Sequence, residues 1–333
     1  MTTIPMKCDP ARIELQHWPA SALAQPLPVV ATSVAFLGPA GTFSEEALRA
    51  ALRDESKTGK QKREFVPYPS LDETLQAASA GQVDCALVPI ENSIEGSVSA
   101  TIDILAHQID NLQMVREVRH PVKHCLVSRP GVTLDEITKV ISHPHANSQC
   151  RMWLHDNLPG REVEAANSTA TAVDRVARSK EPWAAIGNRL AAKTYGCDII
   201  EADIEDHPEN ETRFVFVARQ RERQDLSEPY KTSIVCEIIK DQPGALLLIL
   251  QEFAFRHINL TKIESRPSKR RLGDYIFIVD MEGKVDDPPV ADALRCLCCK
   301  LPRLTVLGSY PVGPPPGNGV NSQTRTAPGA THA

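Results

Sequence analysis

Short apolar runs alternate with amphipathic stretches between residues 33 and 218 of the chain. The runs at 34–37, 64–68, 83–89, 114–118, 124–128, 139–142, 162–165, 184–186 and 213–218 have the length and composition of buried strands. Several are followed by a helical pattern that opens on a hydroxyl side chain. Thr42-Phe43-Ser44-Glu45 and Ser70-Leu71-Asp72-Glu73 each fit a reciprocal cap, in which the hydroxyl satisfies a first-turn amide and the Glu reaches back. Such a cap contributes about 1 kcal/mol. Strands alternating with helices predict an α/β domain, and a break in the pattern near residues 119–122 divides it into two lobes. Past residue 232 the order becomes strand, helix, strand, strand, helix, strand, with Leu246, Ile249, Leu250 and Phe253 marking one helix face. That order predicts an α+β, ferredoxin-like unit.

Composition changes this picture at its edges. Residues 1–32 hold five prolines and no period, and residues 312–333 are rich in Pro and Gly. Neither buries enough apolar surface to offset its ordering entropy, so both are expected to be loose. The charged segment 219–231 reads as a linker. The chain of 333 residues thus divides into a domain at 33–218 and a smaller one at 232–311. A net charge of −5 argues against nucleic-acid binding. The longest apolar run, 245–250, is too short to cross a bilayer. The leading MTTIPMKCDP lacks the pattern of a secretory signal, so a cytoplasmic protein is expected. Nine cysteines, scattered except for Cys296, Cys298 and Cys299, have no zinc spacing and read as free thiols in a reducing compartment.

Signatures of several chemistries are missing. No dinucleotide, P-loop, serine-hydrolase or zincin motif occurs. His143 and His145 have no carboxylate or Cys at ligand spacing and read as a loop pair, so no metal is expected. What remains are four polar strand-to-helix junctions, at 38–44, 89–96, 142–149 and 167–171. Backbone amides at helix starts hold anions, and ligands of open α/β sheets collect at the carboxyl ends of strands. Each junction alone is an ordinary capped helix. Four in one domain predict a small anionic ligand held by amides and hydroxyls.

The strings GPAGTFSEEA, PIENSIEG, SHPHANSQC, NSTATA and NETRF stand in this order along the chain. In that order and spacing they resemble the prephenate dehydratase family. Pro243-Gly244-Ala245-Leu246 and the string NLTKIESRP from Asn259 to Pro267 resemble that family's regulatory ACT domain, which Leu307-Gly308-Ser309-Tyr310-Pro311 closes. The resemblance covers residues 34–311 and is to the monofunctional form, since the first 30 residues are too few for a chorismate mutase domain. It implies a two-lobed, periplasmic-binding-protein-like catalytic domain plus the ACT domain, with no cofactor. The implied reaction converts prephenate to phenylpyruvate with loss of water and carbon dioxide, in phenylalanine biosynthesis. Phenylalanine is the implied feedback effector, and a homodimer or homotetramer the implied assembly.

By the same resemblance Thr212 is the catalytic residue. A Thr hydroxyl is a poor acid, so its implied part is to donate to the leaving hydroxyl oxygen, with Glu91 a candidate proton source. Gly41, Thr42, Ser44, Glu91, Asn92, Ser93, Ser168, Thr169, Arg213 and Phe214 are the implied substrate-binding residues. Taken alone, Thr212 is an ordinary strand residue, while Asn92, Ser93, Ser168 and Thr169 are turn or cap residues. Phe214 is core or wall, and Arg213 either clamps a carboxylate or holds the strand end. Gly244, Ala245, Leu246, Asn259, Leu260, Glu264, Ser265, Arg266 and Pro267 are the implied phenylalanine-binding elements. His257 departs from the pattern, standing where members carry a Gly that closes the helix in the left-handed conformation. His also adopts that conformation, so the turn is expected to persist. Competing readings are an arogenate dehydratase, a prephenate decarboxylase-like relative, against which the intact Thr212 donor argues, and a non-catalytic amino-acid sensor.

Overall fold

The computed structural model describes residues 31–52, 63–219, 229–238, 243–269 and 274–314. The expected N-terminal extension, the middle of the linker, the turn after Lys269 and most of the C-terminal tail lie outside the described residues.

Lobe 1 is built from β1 (Ser33–Leu37), α1 (Phe43–Ala51), β2 (Glu64–Tyr68), α2 (Leu71–Ala80), β3 (Cys85–Asn92), β4 (Gly96–Ser97), α3 (Ser99–His107) and β5 (Leu112–Pro121). Lobe 2 holds β6 (Cys125–Ser128), β7 (Lys139–Ser142), α4 (Pro144–Gln149), α5 (Arg151–Asn157), β8 (Glu162–Ala165), α6 (Thr169–Arg178), β9 (Trp183–Gly187), α7 (Arg189–Tyr195) and β10 (Asp198–Ala202). The chain then returns. β11 (Glu211–Arg219) inserts between β3 and β5, antiparallel to both. Lobe 1 therefore runs β2-β1-β3-β11-β5, and lobe 2 runs β8-β7-β9-β6-β10. In each sheet three parallel strands are followed by an antiparallel one that has just crossed from the other lobe. Two matched sheets joined by two crossings, at 122–124 and 203–210, make the two-lobed, periplasmic-binding-protein-like fold.

Local chemistry sets the boundaries. Ser70 caps α2, accepting from Glu73 N and donating to Glu73 Oε1, both at 3.1 Å, and Gly81 closes the helix at φ 74°. At α1 the cap is modified. Thr42 Oγ1 accepts from Glu45 N at 3.4 Å, but the Glu45 carboxylate reaches one residue further back, to Gly41 N at 2.7 Å. β4 and β10 are absent from the strands the pattern predicts. β4 is a two-residue return onto β3, too short to show a period.

The third unit comprises β12 (Tyr230–Glu237), α8 (Ala245–Ala254), β13 (Leu260–Pro267), β14 (Tyr275–Glu282), α9 (Pro288–Lys300) and β15 (Arg303–Pro311). Its antiparallel order, β13-β14-β12-β15, is the ferredoxin-like arrangement. One face packs on α8 and α9 through Ile234, Val279, Ile249, Phe253, Leu294 and Leu297. The other packs on lobe 1, where Val235, Ile276, Ile278 and Leu307 share one buried cluster with Met114, Val215 and Val217. Gly308 permits the closest approach, since a Cβ there would lie 2.2 Å from the Met114 carbonyl oxygen. His257 does adopt the left-handed turn, at φ 54°, and Ile258 N reaches back to Phe253 O at 3.1 Å. A chain ending at Arg219 is therefore expected to expose an apolar sheet face and to aggregate. Light scattering checks this, and a stable soluble monomer would reject it.

Cys85, Cys125, Cys150, Cys197, Cys236, Cys296 and Cys298 are free. Cys299 is disulfide-bonded, which corrects the reading of nine free thiols. It lies on the exposed side of α9, where its sulfur is no core group.

Candidate active site

Three side chains line up across the lobe 1 sheet near the start of β11. Thr212 stands in register with Asn92 of β3 on one side and His120 of β5 on the other. Residues directly opposite one another share a face of the sheet. Asn92 is the hub. Its Nδ2 donates to Thr212 Oγ1 at 2.9 Å, to Asn210 Oδ1 at 2.9 Å and to the Glu211 carbonyl at 3.1 Å. Its Oδ1 accepts from Ile94 N and Glu95 N, both at 3.0 Å, which holds the turn into β4. Ser93 locks the same corner, donating from N to Glu211 O at 2.9 Å and accepting on Oγ from Glu211 N at 3.0 Å. For Thr212 the consequence is one of polarity. With an N–H already directed at its oxygen, the hydroxyl's own hydrogen is left to donate outward. His120 completes the row, its Nε2 3.3 Å from Glu46 Oε2 of α1.

Asn210 carries the network across the hinge. Its Nδ2 donates to Gln149 Oε1 at 3.1 Å, and His124 Nε2 meets the same oxygen at 2.9 Å. Gln149 Nε2 donates to Glu95 Oε1 at 3.2 Å, so one orientation of the amide satisfies all three partners. His124 Nε2 then carries the hydrogen. The imidazole is 2% exposed and stands edge-on to Phe43 at 5.4 Å. Burial pushes its pKa below the ordinary 6.5, against the opposing influence of Gln149 and Glu205. The unfolded chain therefore takes up protons first as pH falls through 6.5, and stability declines from there until the folded imidazole protonates. His124→Gln should flatten that decline in a denaturation series below pH 6.5, and an unchanged slope would reject this assignment.

Gly41 sits where the lobes touch. It has φ 86°, and a Cβ there would lie 3.1 Å from Ala191 Cα of α7. Tyr195 OH donates to the Ala40 carbonyl at 2.8 Å across the same seam. The Thr42 hydroxyl is committed, donating to Leu37 O at 2.9 Å while it caps Glu45, and Ser44 is buried in α1. This corner offers a ligand the first-turn amides of α1. His143 caps α4 and His145 lies in its first turn, 3.6 Å from Glu95 of the other lobe. Ser168 caps α6, accepting from Thr171 N at 3.0 Å. Among the described residues no hydrogen bond joins Ser168 or Thr169 to the Asn92–Thr212 cluster.

Three residues implied to bind substrate lie elsewhere. Neighbours on a strand face opposite ways, so Arg213 points away from Thr212, towards the third unit. Its guanidinium donates to Asp280 Oδ2 at 2.6 Å, Glu117 Oε2 at 2.7 Å, Tyr310 OH at 2.8 Å and Glu91 Oε2 at 3.3 Å. That leaves no planar fork for a substrate carboxylate. Glu91 stands on the same far side, paired also with Lys262 at 3.7 Å and turned away from Thr212. Phe214 returns to the Thr212 face but is buried with Phe36, Leu48 and Val118 as core. Gln149, Asn210 and His124 escaped the sequence reading, although SHPHANSQC and NETRF contain the first two. A lone amide in a helix or turn carries no mark of its distant partner.

In the third unit a cavity of about 600 Å³ opens at the start of α8, lined by Pro243, Gly244, Ala245, Leu246, Leu250 and Phe277. Gly244 begins the helix at φ 86° and supplies no side-chain cap, so among the described residues no side chain caps its first-turn amides. Ser265 stands opposite Phe277 and shares its face. Glu264 and Arg266 point the other way, onto lobe 1, with Arg266 paired to Asp103 at 3.0 Å and to Glu264 at 3.2 Å. Asn259 donates to Glu282 at 2.9 Å, and Leu260 packs on the helix-side core. Of the implied effector elements, the cavity lining includes Gly244, Ala245 and Leu246; Pro267 stays exposed at the end of β13. By strand parity, consecutive residues of β13 face opposite sides of the sheet.

Residues 34–222 match the family model for prephenate dehydratase, and residues 232–298 match that for the ACT domain. The chain belongs to the prephenate dehydratase family. A prephenate dehydratase from Mycolicibacterium vanbaalenii is 38% identical over 296 residues, covering 85% of this chain and 94% of the relative. The crystal structure of prephenate dehydratase from Arthrobacter aurescens in complex with L-Phe superimposes with a TM-score of 0.77 at 38% identity, over 84% of this chain and 90% of that one. A structure described as a novel type of quorum-quenching acylase gives 0.74 at 28% identity, over 85% of this chain and 98% of that one. One scaffold thus hosts more than one described chemistry, so the prephenate dehydratase site and not its fold must carry the functional argument.

Proposed function

We propose that this chain converts prephenate to phenylpyruvate, expelling water and carbon dioxide, under feedback from phenylalanine. The observation that carries the reading is the polarity at Thr212: Asn92 donates to its oxygen at 2.9 Å, which leaves its hydrogen free to donate to the leaving hydroxyl of a substrate. Aromatisation drives the loss of carbon dioxide, and no electron sink is required. The protein's part is to hold the dianion against the amides of α1, to keep water from the departing carboxylate, and to donate to the leaving oxygen. Incubating the purified chain with prephenate and identifying the product tests this. Phenylpyruvate supports it, whereas a non-aromatic decarboxylated acid or no turnover rejects it.

For the effector, the cavity beside Gly244 supplies apolar walls for a benzyl side chain and open amides for a carboxylate. Among the described residues nothing lies within 4 Å of a Cβ at Gly244, so a side chain added there meets none of them but keeps the strain of φ 86°. Gly244→Leu is expected to weaken phenylalanine inhibition about tenfold or more, the size of one lost subsite contact, while uninhibited kcat stays unchanged. Inhibition curves check this, and an unshifted curve would place the effector elsewhere. The reading includes a cytoplasmic homodimer or homotetramer, and sedimentation counts the subunits.

A further inference from the structure

Arg213 is the neighbour of Thr212 in β11, yet it is gripped from the far side of the sheet by the ACT domain. The cluster is nearly dry, with Arg213 11% exposed and Glu117, Asp280, Tyr310 and Ser233 buried. Asp280 of β14 accepts from Arg213 Nη1 on Oδ2 and from Ser233 Oγ on Oδ1, both at 2.6 Å. The Ser233 and Tyr310 hydroxyls are 2.6 Å apart, and Lys231 Nζ reaches Glu117 Oε2 at 2.8 Å. A buried cluster of this kind adds little net stability, because desolvation offsets attraction, but it admits only one register between the parts it joins.

The other end of this contact lies at the effector cavity. Phe277 and Asp280 belong to the same strand, β14, and point to its opposite faces. Phe277 lines the cavity beside Gly244, while Asp280 holds Arg213. One strand thus touches the effector site on one face and the strand bearing Thr212 on the other.

We propose that β14 is the coupling element, passing occupancy of the ACT cavity through Asp280 to Arg213 and so to the position of Thr212. Arg213 is in this sense a positioning residue. The proposal rests on the functional reading above and adds the route by which the two sites communicate.

The test uses the full chain, prephenate as substrate and phenylalanine as effector. Asp280→Asn keeps the shape of the side chain and its Ser233 contact while removing the charge that faces Arg213. Uninhibited kcat and phenylalanine affinity by calorimetry should stay within about threefold of wild type, while inhibition at saturating phenylalanine falls about fivefold or more. A variant inhibited as strongly as wild type overturns the proposal. Should Asp280→Asn fail to fold, Tyr310→Phe removes one hydroxyl partner of Arg213 and is read in the same way. A wild-type chain that ignores prephenate or phenylalanine overturns the functional reading first, before any variant is made, and the proposal with it.

Discussion

Thr212→Val is expected to fold as wild type does and to lose about 10²–10³ in kcat, roughly 2.7–4 kcal/mol of transition-state stabilisation. Valine matches threonine in shape and suits a strand. Removing the hydroxyl does not orphan Asn92, whose Nδ2 keeps Asn210 Oδ1 at 2.9 Å and the Glu211 carbonyl at 3.1 Å. The loss therefore falls on chemistry. The donated hydrogen bond strengthens only as the C–O bond breaks and charge gathers on the leaving oxygen, so KM should stay nearly constant. Steady-state kinetics with prephenate, beside a thermal melt, decide it. A folded Thr212→Val with wild-type kcat removes Thr212 from the mechanism.

Arg213→Met should act on stability. The substitution keeps much of the volume but leaves Asp280 buried with Ser233 as its remaining partner, while Glu117 retains Lys231. Stripping one partner from a buried pair costs about 3–5 kcal/mol, because the other charge stays desolvated. Burial opposes the charge on Arg213, but Tyr310, Asp280 and Glu117 outweigh it and raise its pKa, so no accessible pH relieves the cluster by neutralising Arg213. Denaturant unfolding should show the loss as an earlier transition. Had Arg213 clamped a substrate carboxylate, stability would hold and KM would rise instead. That result would return it to the substrate site.

Strands β2, β7 and β8 begin and end where the hydrophobic pattern places them, and the cap at Ser70 forms as its spacing predicts. The βαββαβ order of the third unit and the turn at His257 were equally legible. These features are local: a run of apolar residues, a hydroxyl three positions before a carboxylate, or a left-handed closing residue acts within a few residues of itself. The motif strings likewise marked Asn92 and Thr212 as family positions, because a family match transfers positions without needing their geometry.

What the strings did not convey is direction. Arg213 and Thr212 are adjacent, and strand alternation alone says they face opposite ways. Which of the two stands beside Asn92 and His120 depends on β11 leaving lobe 2 and inserting between β3 and β5, with the ACT sheet covering its other side. The same holds for Glu264 and Arg266, turned onto lobe 1 while Ser265 shares the face of Phe277. The relay from Asn92 through Asn210 and Gln149 to His124 joins residues from both lobes and both crossings. The sequence by itself determined the elements, their order and the family positions, since those rest on short-range periodicity and motif. Only the tertiary structure decided which side chains meet, because burial and pairing belong to surfaces that exist once distant strands have come together.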